Sequence, residues 1–391
     1  MPPRPTLTIQ ERRSRLARRH LLTPATRVTT AAAVADALVA LHASDAATVF
    51  LSTAARTTSS SPAALEREMY EDVALVRLLS MRNTLFAVSR ELAPYVDAST
   101  ARAIAAKERK TLLKHFAEDG GGLDADWLAD AEAEVHTLLA QHGSASGSEL
   151  SAASAALQTK ITVFPGKKWE TVQGVASRVL RVLAAEGHIR RDRPRGSWTS
   201  SQFRWTAAEP WPELPAAEAK AELARRWLLS YGPATEADLK WWTGWSLADV
   251  RKALLACTAE EVRLEDGRPA HVAPGDTGPE PETEPWAALL PGLDPSAMGW
   301  ADRDFQLDPE LRTPLFDRSG NIGPTVWWQG EIVGGWAQRP NGEIIWRLLA
   351  DRGTEAAPAI EAEAARLSTW VAGARVTPRF RTPLERELSA T

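Results

Sequence analysis

The sequence predicts an α-rich α+β chain in which tandem winged helix-turn-helix units precede a C-terminal β-rich domain. Three observations predict it. The early part has helical spacing of its apolar residues and no glycine before Gly120. The order helix, helix, helix, two-stranded ribbon occurs at least twice further on. After residue 320 the apolar pattern changes to period two, with Gln329-Gly330 and Asn341-Gly342 between the runs. Such dipeptides close tight hairpins.

Composition sets the bounds. A chain of 391 residues with 44% hydrophobic and 25% charged residues is an ordinary soluble globular sequence. At roughly 100 to 200 residues per domain it holds two to four domains. Cys257 is the only cysteine, which excludes an intrachain disulfide and a cysteine-based zinc site and fits a reducing cytoplasm. No apolar run reaches the roughly 20 residues of a membrane span. A net charge of −4 speaks against a uniformly basic nucleic-acid binder and leaves local patches open.

The first unit covers residues 1–119. Residues 1–27 contain seven arginines and one acid, Glu11. The Arg12-Arg13 pair lacks the apolar region a twin-arginine signal needs, so this reads as a structural or DNA-facing helix. A helix is expected over 31–41 and another over 46–56, capped by Ser44 or Asp45. Residues 75–81 read as the last helix of this unit and 82–88 as part of a ribbon. The Gly120-Gly121-Gly122 linker opens a second unit, 120–210. There a short helix covers 149–157 and a longer one 169–186, ended by Gly187. Two strands around an Arg-rich tip follow. Pro210, Pro212 and Pro215 mark the next boundary. The third unit, 211–276, repeats the plan, with Thr235 and Ser246 as N-caps and an acidic ribbon tip. Domain four, 277–391, carries the period-two runs, a helix over 355–370 and a closing strand over 375–380.

The tip of the second ribbon carries the most chemistry: Arg190-Arg191-Asp192-Arg193-Pro194-Arg195-Gly196-Ser197. Guanidinium forks suit phosphate oxygens, and a small hydroxyl such as Ser197 adds a phosphate contact. Arg178 and Arg181 lie on the preceding helix, the one a helix-turn-helix presents to DNA, and Lys167 and Lys168 just before it. Arg82, opening the first ribbon, joins this set. The bland alternative is a solvated loop tip. The acidic tip of the third unit suits packing instead.

A second segment is Leu41-His42-Ala43-Ser44-Asp45. On a continued helix His42 and Asp45 would share a face, and with Ser44 they would hold and deprotonate one water. The bland alternative is a cap for the next helix and a dipole-favoured histidine. No HExxH, phosphate loop or GxGxxG after a strand is present. The Trp241-Trp242 and Trp327-Trp328 pairs suit core packing better than base stacking.

These segments resemble one family. Leu38 to Ser44, Arg193-Pro194-Arg195-Gly196-Ser197-Trp198-Thr199, Ala237 to Gly244, Leu289-Leu290-Pro291-Gly292-Leu293-Asp294 and Val333-Gly334-Gly335-Trp336 are similar to the winged helix DNA-binding domain-containing proteins that include AlkZ-like and YcaQ-like bacterial DNA glycosylases. The resemblance covers roughly residues 10–385. It implies tandem winged-helix units around a basic channel and cofactor-free hydrolysis of the N-glycosidic bond of bulky alkylated purines in damaged double-stranded DNA. The first reading is then a monofunctional DNA glycosylase; the single cysteine, the lack of an apolar span and the lack of a metal motif place it in the cytoplasm, on the nucleoid when DNA-bound, with no metal and no membrane. In that family a Gln-x-Gln or Gln-x-Asp motif positions the water. Here the two motif positions fall on His42 and Ser44. Serine is too weak a base to replace a carboxylate, so His42 or Asp45 has to act. A non-catalytic winged-helix DNA-binding protein or regulator is the alternative, and a remote small-molecule or partner-binding role is a third.

Overall fold

The computed structural model describes residues 4–390. It opens with β1 (Thr6–Leu7) and α1 (Ile9–Arg19), which Thr8 caps by accepting from the Glu11 amide. The arginines of α1 are largely neutralised within the fold. Arg15 bonds Glu11 and Asp276, and Arg19 bonds Asp276 and Glu280. The acidic loop that follows residue 273 is therefore the counter-charge of this helix, which is structural.

Next come α2 (Ala31–Ala37), β2 (Leu41–His42), α3 (Ala46–Arg56), α4 (Pro62–Tyr70), β3 (Leu75–Ser80) and β4 (Thr84–Ser89), with sheet order β2-β4-β3. Two expectations are corrected here. The helix expected over 31–41 stops at Ala37, because Leu38 is its C-cap and Val39 takes a left-handed φ of 64° that turns the chain into β2. The segment 75–81, expected as a helix, is β3, paired residue for residue with β4, and the last helix of this block is α4. Leu75, Val76 and Leu78 are all buried. Period alone does not separate such a short buried strand from a helix.

The connection α5 (Ala93–Val96) and α6 (Arg102–Asp119) leads to α7 (Ala125–His142), β5 (Ser144–Ala145), α8 (Gly147–Ala153), β6 (Lys160–Val163), β7 (Thr171–Gly174), α9 (Ala176–Ala185), β8 (Ile189–Asp192) and β9 (Arg204–Ala207). The sheet order is again outer-to-inner, β5-β9-β8. The single helix expected over 169–186 is instead β7 followed by α9. Trp169 and Val172 are 64% and 63% exposed on a hairpin that β7 forms with β6, and the buried helical face starts only at Val175.

The third block is α10 (Ala216–Tyr231), α11 (Glu236–Thr243), α12 (Leu247–Ala256), β10 (Glu260–Leu264) and β11 (Pro269–Val272). Ala234 bridges His271. The distant β1 completes the sheet by running parallel to β10, because Leu7 fills the small cluster of Val262, Leu264, Ala270 and Val272.

The last part holds β12 (Ala287–Leu290), α13 (Pro295–Met298), α14 (Arg312–Leu315), β13 (Thr325–Trp328), β14 (Glu331–Gln338), β15 (Ile344–Leu348), α15 (Ala356–Val371) and α16 (Pro383–Ala390). Its four strands form one antiparallel meander. Gln329 and Gly330 turn at φ 48° and 86°, the left-handed pair such a tight hairpin needs. The closing strand expected over 375–380 does not form. The Gln338 side chain takes up the Val376 amide and the Ala374 carbonyl instead, and α16 packs on β14.

One buried network joins the first block to the last. Arg56 on α3 and Asp294 before α13 are both fully buried and make a two-pronged ion pair at 2.7 and 2.9 Å. Ser52 donates to Asp294, and Ser296 Oγ accepts from Arg56 and lies 2.8 Å from His20 Nδ1. Removing one partner of a buried pair leaves a bare charge, which costs about 3–5 kcal/mol. Asp294→Ala is expected to lose that much in urea denaturation. Burial first, then the Arg56 charge, lowers the His20 pKa to about 3. Between that value and the unfolded value of about 6.5, only the unfolded chain binds this proton. Stability is therefore lost as pH falls below about 6.5, by about 1.4 kcal/mol per pH unit from this group. His20→Gln is expected to show a shallower decline of stability from pH 6.5 to pH 4 in the same assay.

Candidate nucleic-acid interface and active site

A cleft of about 1180 Å³ lies between the β3–β4 hairpin, the β5–α8 turn, α9, β8 and the segment after α15. Seven arginines line it, Arg77, Arg178, Arg181, Arg190, Arg191, Arg195 and Arg379, against the one carboxylate of Glu108. Their convergence follows from local structure. Arg178 and Arg181 are three apart and share a face of α9. Arg77 is the one charge in the apolar strand β3. Arg379 arrives from the segment that Asp45 holds by accepting the Arg379 amide at 2.8 Å.

The arginines differ in how far they are neutralised. Arg181 bonds Glu108 at 2.8 Å and Asn83 at 3.2 Å, and Arg178 bonds Gln173 and His115. Arg195 lies 3.4 Å from Glu149. By contrast, Arg77, Arg191 and Arg379 have no carboxylate in ion-pair reach among the described residues. Arg77 Nη2 donates to the Tyr70 hydroxyl while its buried Nε has no partner. Arg191 lies 3.9 Å over the Phe203 ring. Burial, then the Arg77 and Arg379 charges, lowers its pKa to about 10, so it remains a cation at neutral pH. Like charges gathered without counter-ions raise the local potential, which a polyanion would relieve.

Ser44 is part of the cleft wall, and its carbonyl accepts from Arg379 Nη1 at 3.0 Å. His42 lies behind it on β2, 6% exposed, with its ring centroid 4.6 Å from that of Phe86. The shared helical face expected for His42 and Asp45 does not exist, since residues 41–42 are a strand and Asp45 is the N-cap of α3. Asp45 Oδ1 accepts from the Ala47 amide and Oδ2 from the Arg379 amide, so neither oxygen bonds the imidazole. His42 Nδ1 is buried without a hydrogen-bond partner. Burial, then the Arg82 charge, lowers the His42 pKa to about 3. The three-quarters-neutral base of an ordinary imidazole is thus replaced by a fully neutral, weakly basic ring.

Of the remaining residues singled out in the sequence, Arg190, Arg191 and Arg195 reach the cleft, while Arg193, Ser197 and Arg82 do not line it. Arg193 pairs with Glu66 and Glu71 on and just after α4. Ser197 Oγ lies 2.8 Å from Thr199 Oγ1. The ribbon tip is not a free wing, because Trp198 is buried against Phe50 at 4.9 Å and Trp370 at 5.8 Å. Arg82 sits 4.0 Å over Trp241. Lys167 and Lys168 lie on the β6–β7 hairpin beside exposed Phe164 and Trp169. Sequence reading missed Arg77 and Arg379. A lone arginine inside an apolar strand was the available signal for the first, and nothing local marked the second.

The family model "DNA glycosylase AlkZ-like" matches residues 35–370, and the chain belongs to that family. Among solved structures, the chain is similar to the Streptomyces sahachiroi DNA glycosylase AlkZ, with a TM-score of 0.71 and 22% identity over 96% of this chain and 99% of that one. No curated protein matches significantly. No helix among the described residues is long and apolar enough to cross a membrane, and no group of three metal-ligating side chains occurs among them.

The buried, neutral state of His42 has a kinetic consequence. With its pKa near 3, its protonation does not change between pH 5 and pH 8. Base release under single-turnover conditions is expected to show no inflection near pH 6.5 across that range. An inflection there would mean that the imidazole titrates as a solvated one.

Proposed function

We propose that the chain binds damaged double-stranded DNA in the arginine-lined cleft and hydrolyses the N-glycosidic bond of a bulky alkylated purine beside Ser44. The observation that carries this is the meeting of the His-Ala-Ser loop with three unpaired guanidiniums, those of Arg77, Arg191 and Arg379. Three helix-and-ribbon blocks of matching order support a reading as tandem winged-helix units, bounded near 1–119, 120–210 and 211–276, with 277–391 as the β-rich part. The β6–β7 hairpin adds Lys167, Lys168 and the exposed Trp169 as a further contact for the duplex, the lysines for phosphates and the ring for apolar contact.

In this reading Ser44 Oγ holds the water that attacks the sugar. His42, neutral throughout the working range, is a positioning residue that packs behind Ser44 against Phe86. Asp45 acts at one remove by fixing α3 and the Arg379 segment. An N7-alkylated purine already carries positive charge and leaves as a neutral base, so a strong general base is not required. As the glycosidic bond breaks, the purine takes the bonding pair and leaves neutral, the oxygen of the water bonds the sugar carbon, and the proton of that water passes to solvent.

The test is incubation with duplex DNA carrying a bulky N7-alkylguanine, scored for abasic sites. Native protein is expected to release the base. Ser44→Ala is expected to slow release by roughly 10- to 100-fold, the value of one well-placed hydrogen bond in the transition state, with duplex affinity unchanged. Arg191→Gln is expected to weaken binding. DNA binding without release from any bulky alkylpurine would favour the non-catalytic reading.

A further inference from the structure

Outside the cleft a second group of arginines lacks counter-ions. Arg82 sits in the β3–β4 turn with its guanidinium carbon 4.0 Å from the Trp241 ring centre. Arg303 approaches the same ring at 4.9 Å and Phe316 at 5.8 Å. Arg312, the first residue of α14, lies 5.5 Å over Phe316. Cations and rings thus alternate in one chain of contacts: Arg82, Trp241, Arg303, Phe316, Arg312. The first block, α11 and the C-terminal part each supply members.

None of the three arginines has a carboxylate in ion-pair reach among the described residues. The Nε atoms of Arg82 and Arg303 are buried without partners. The carboxylate whose charge acts on Arg303 is that of Asp238, and its oxygens are already taken by Thr235 and by the amides of Ala301 and Asp302. Cation–π contacts of this kind hold the guanidinium plane while leaving N–H groups free. They stabilise the cations without neutralising them. For folding alone, three mutually repelling charges are a cost that any neutral packing would avoid.

The position of the group suggests its purpose. Asn83, next to Arg82, lines the cleft and accepts from Arg181 on α9. The aromatic-arginine ladder therefore begins at the rim of the cleft and leads away from it. Arg312 at its far end is exposed, Arg82 is half-buried, and Arg303 is only 6% exposed and acts through its field.

We infer that this ladder is a second phosphate-binding track, which holds the DNA backbone beyond the cleft through Arg82 and Arg312. The inference rests on the DNA reading above. It adds a contact surface contributed by the third block and the C-terminal part, separate from the place where the base is released.

The experiment measures affinity of the full-length protein for an undamaged duplex as a function of salt. Native protein, Arg82→Gln, Arg312→Gln and the double variant are compared by fluorescence anisotropy, with Arg191→Gln as the cleft reference. Each phosphate contact removed lowers the salt slope by about 0.9 for duplex DNA. The double variant is expected to lose about twice that. An unchanged slope in the double variant beside a reduced one in Arg191→Gln overturns the track and leaves the cleft reading standing. A lower melting temperature with a native slope, which a merely structural ladder would give, overturns it too. No duplex binding by native protein at any salt overturns the DNA reading itself, and this inference with it.

Discussion

The Arg56–Asp294 pair is the constraint on which the rest of the arrangement depends. It fixes α3 against the turn that precedes α13, and α3 begins at the Ser44-Asp45 loop. Burial pushes the Asp294 carboxyl up, but the Arg56 charge and hydrogen bonds from Arg56, Ser52 and the Ser296 amide hold it below its ordinary value. Both ions are fully desolvated, so the pair is worth its cost only because nearly every lone pair and N–H is used. His20 completes the satisfaction. Neutral at working pH, it is placed to accept at Nδ1 from Ser296 and to donate at Nε2 to the Ser230 carbonyl. One network thus locks α1, α3, α10 and the C-terminal part into a single register.

That register is what allows unpaired arginines to stand together elsewhere. Arg77, Arg191 and Arg379 come from three separate parts of the chain, and repulsion alone would separate them. Asp45 bonds the Arg379 amide, and Trp198 anchors the ribbon that carries Arg191 between Phe50 and Trp370. The same ribbon tip spends Arg193 on Glu66 and Glu71. An arginine-rich loop is here divided between docking and display, and the buried tryptophan decides which members are displayed.

The sequence revealed more of the fold than of the site. Hairpins came through because Gln329-Gly330 needs two left-handed residues in a row, and caps came through because Thr235 and Ser246 precede regular helices. What failed were short buried segments. Leu75 to Ser80 is apolar enough for either period, and only pairing with β4 makes it a strand. The break after Ala37 depends on a left-handed valine, which no local preference announces. At the site, the Arg-rich ribbon was legible as a cluster, but its partners Glu66, Glu71 and Phe50 lie more than a hundred residues away in sequence. Arg379 enters the site through a backbone bond to Asp45, a contact that leaves no trace in composition.

The depressed basicity of His42 is better understood from the charge of the reaction than from the strength of a base. Loss of a cationic purine leaves positive charge on the sugar as the bond breaks. A cleft with seven arginines is hostile to that charge unless the phosphates of the bound strand cancel them. An imidazolium at His42 would add one more positive centre close to Ser44, inside a buried environment where screening is weak. Burial against Phe86 and the nearby Arg82 charge keep it neutral. In the proposed reaction this neutrality removes a repulsion close to the sugar. In the proposed complex the arginines and the phosphates they hold neutralise each other, so the cleft no longer opposes positive charge on the sugar.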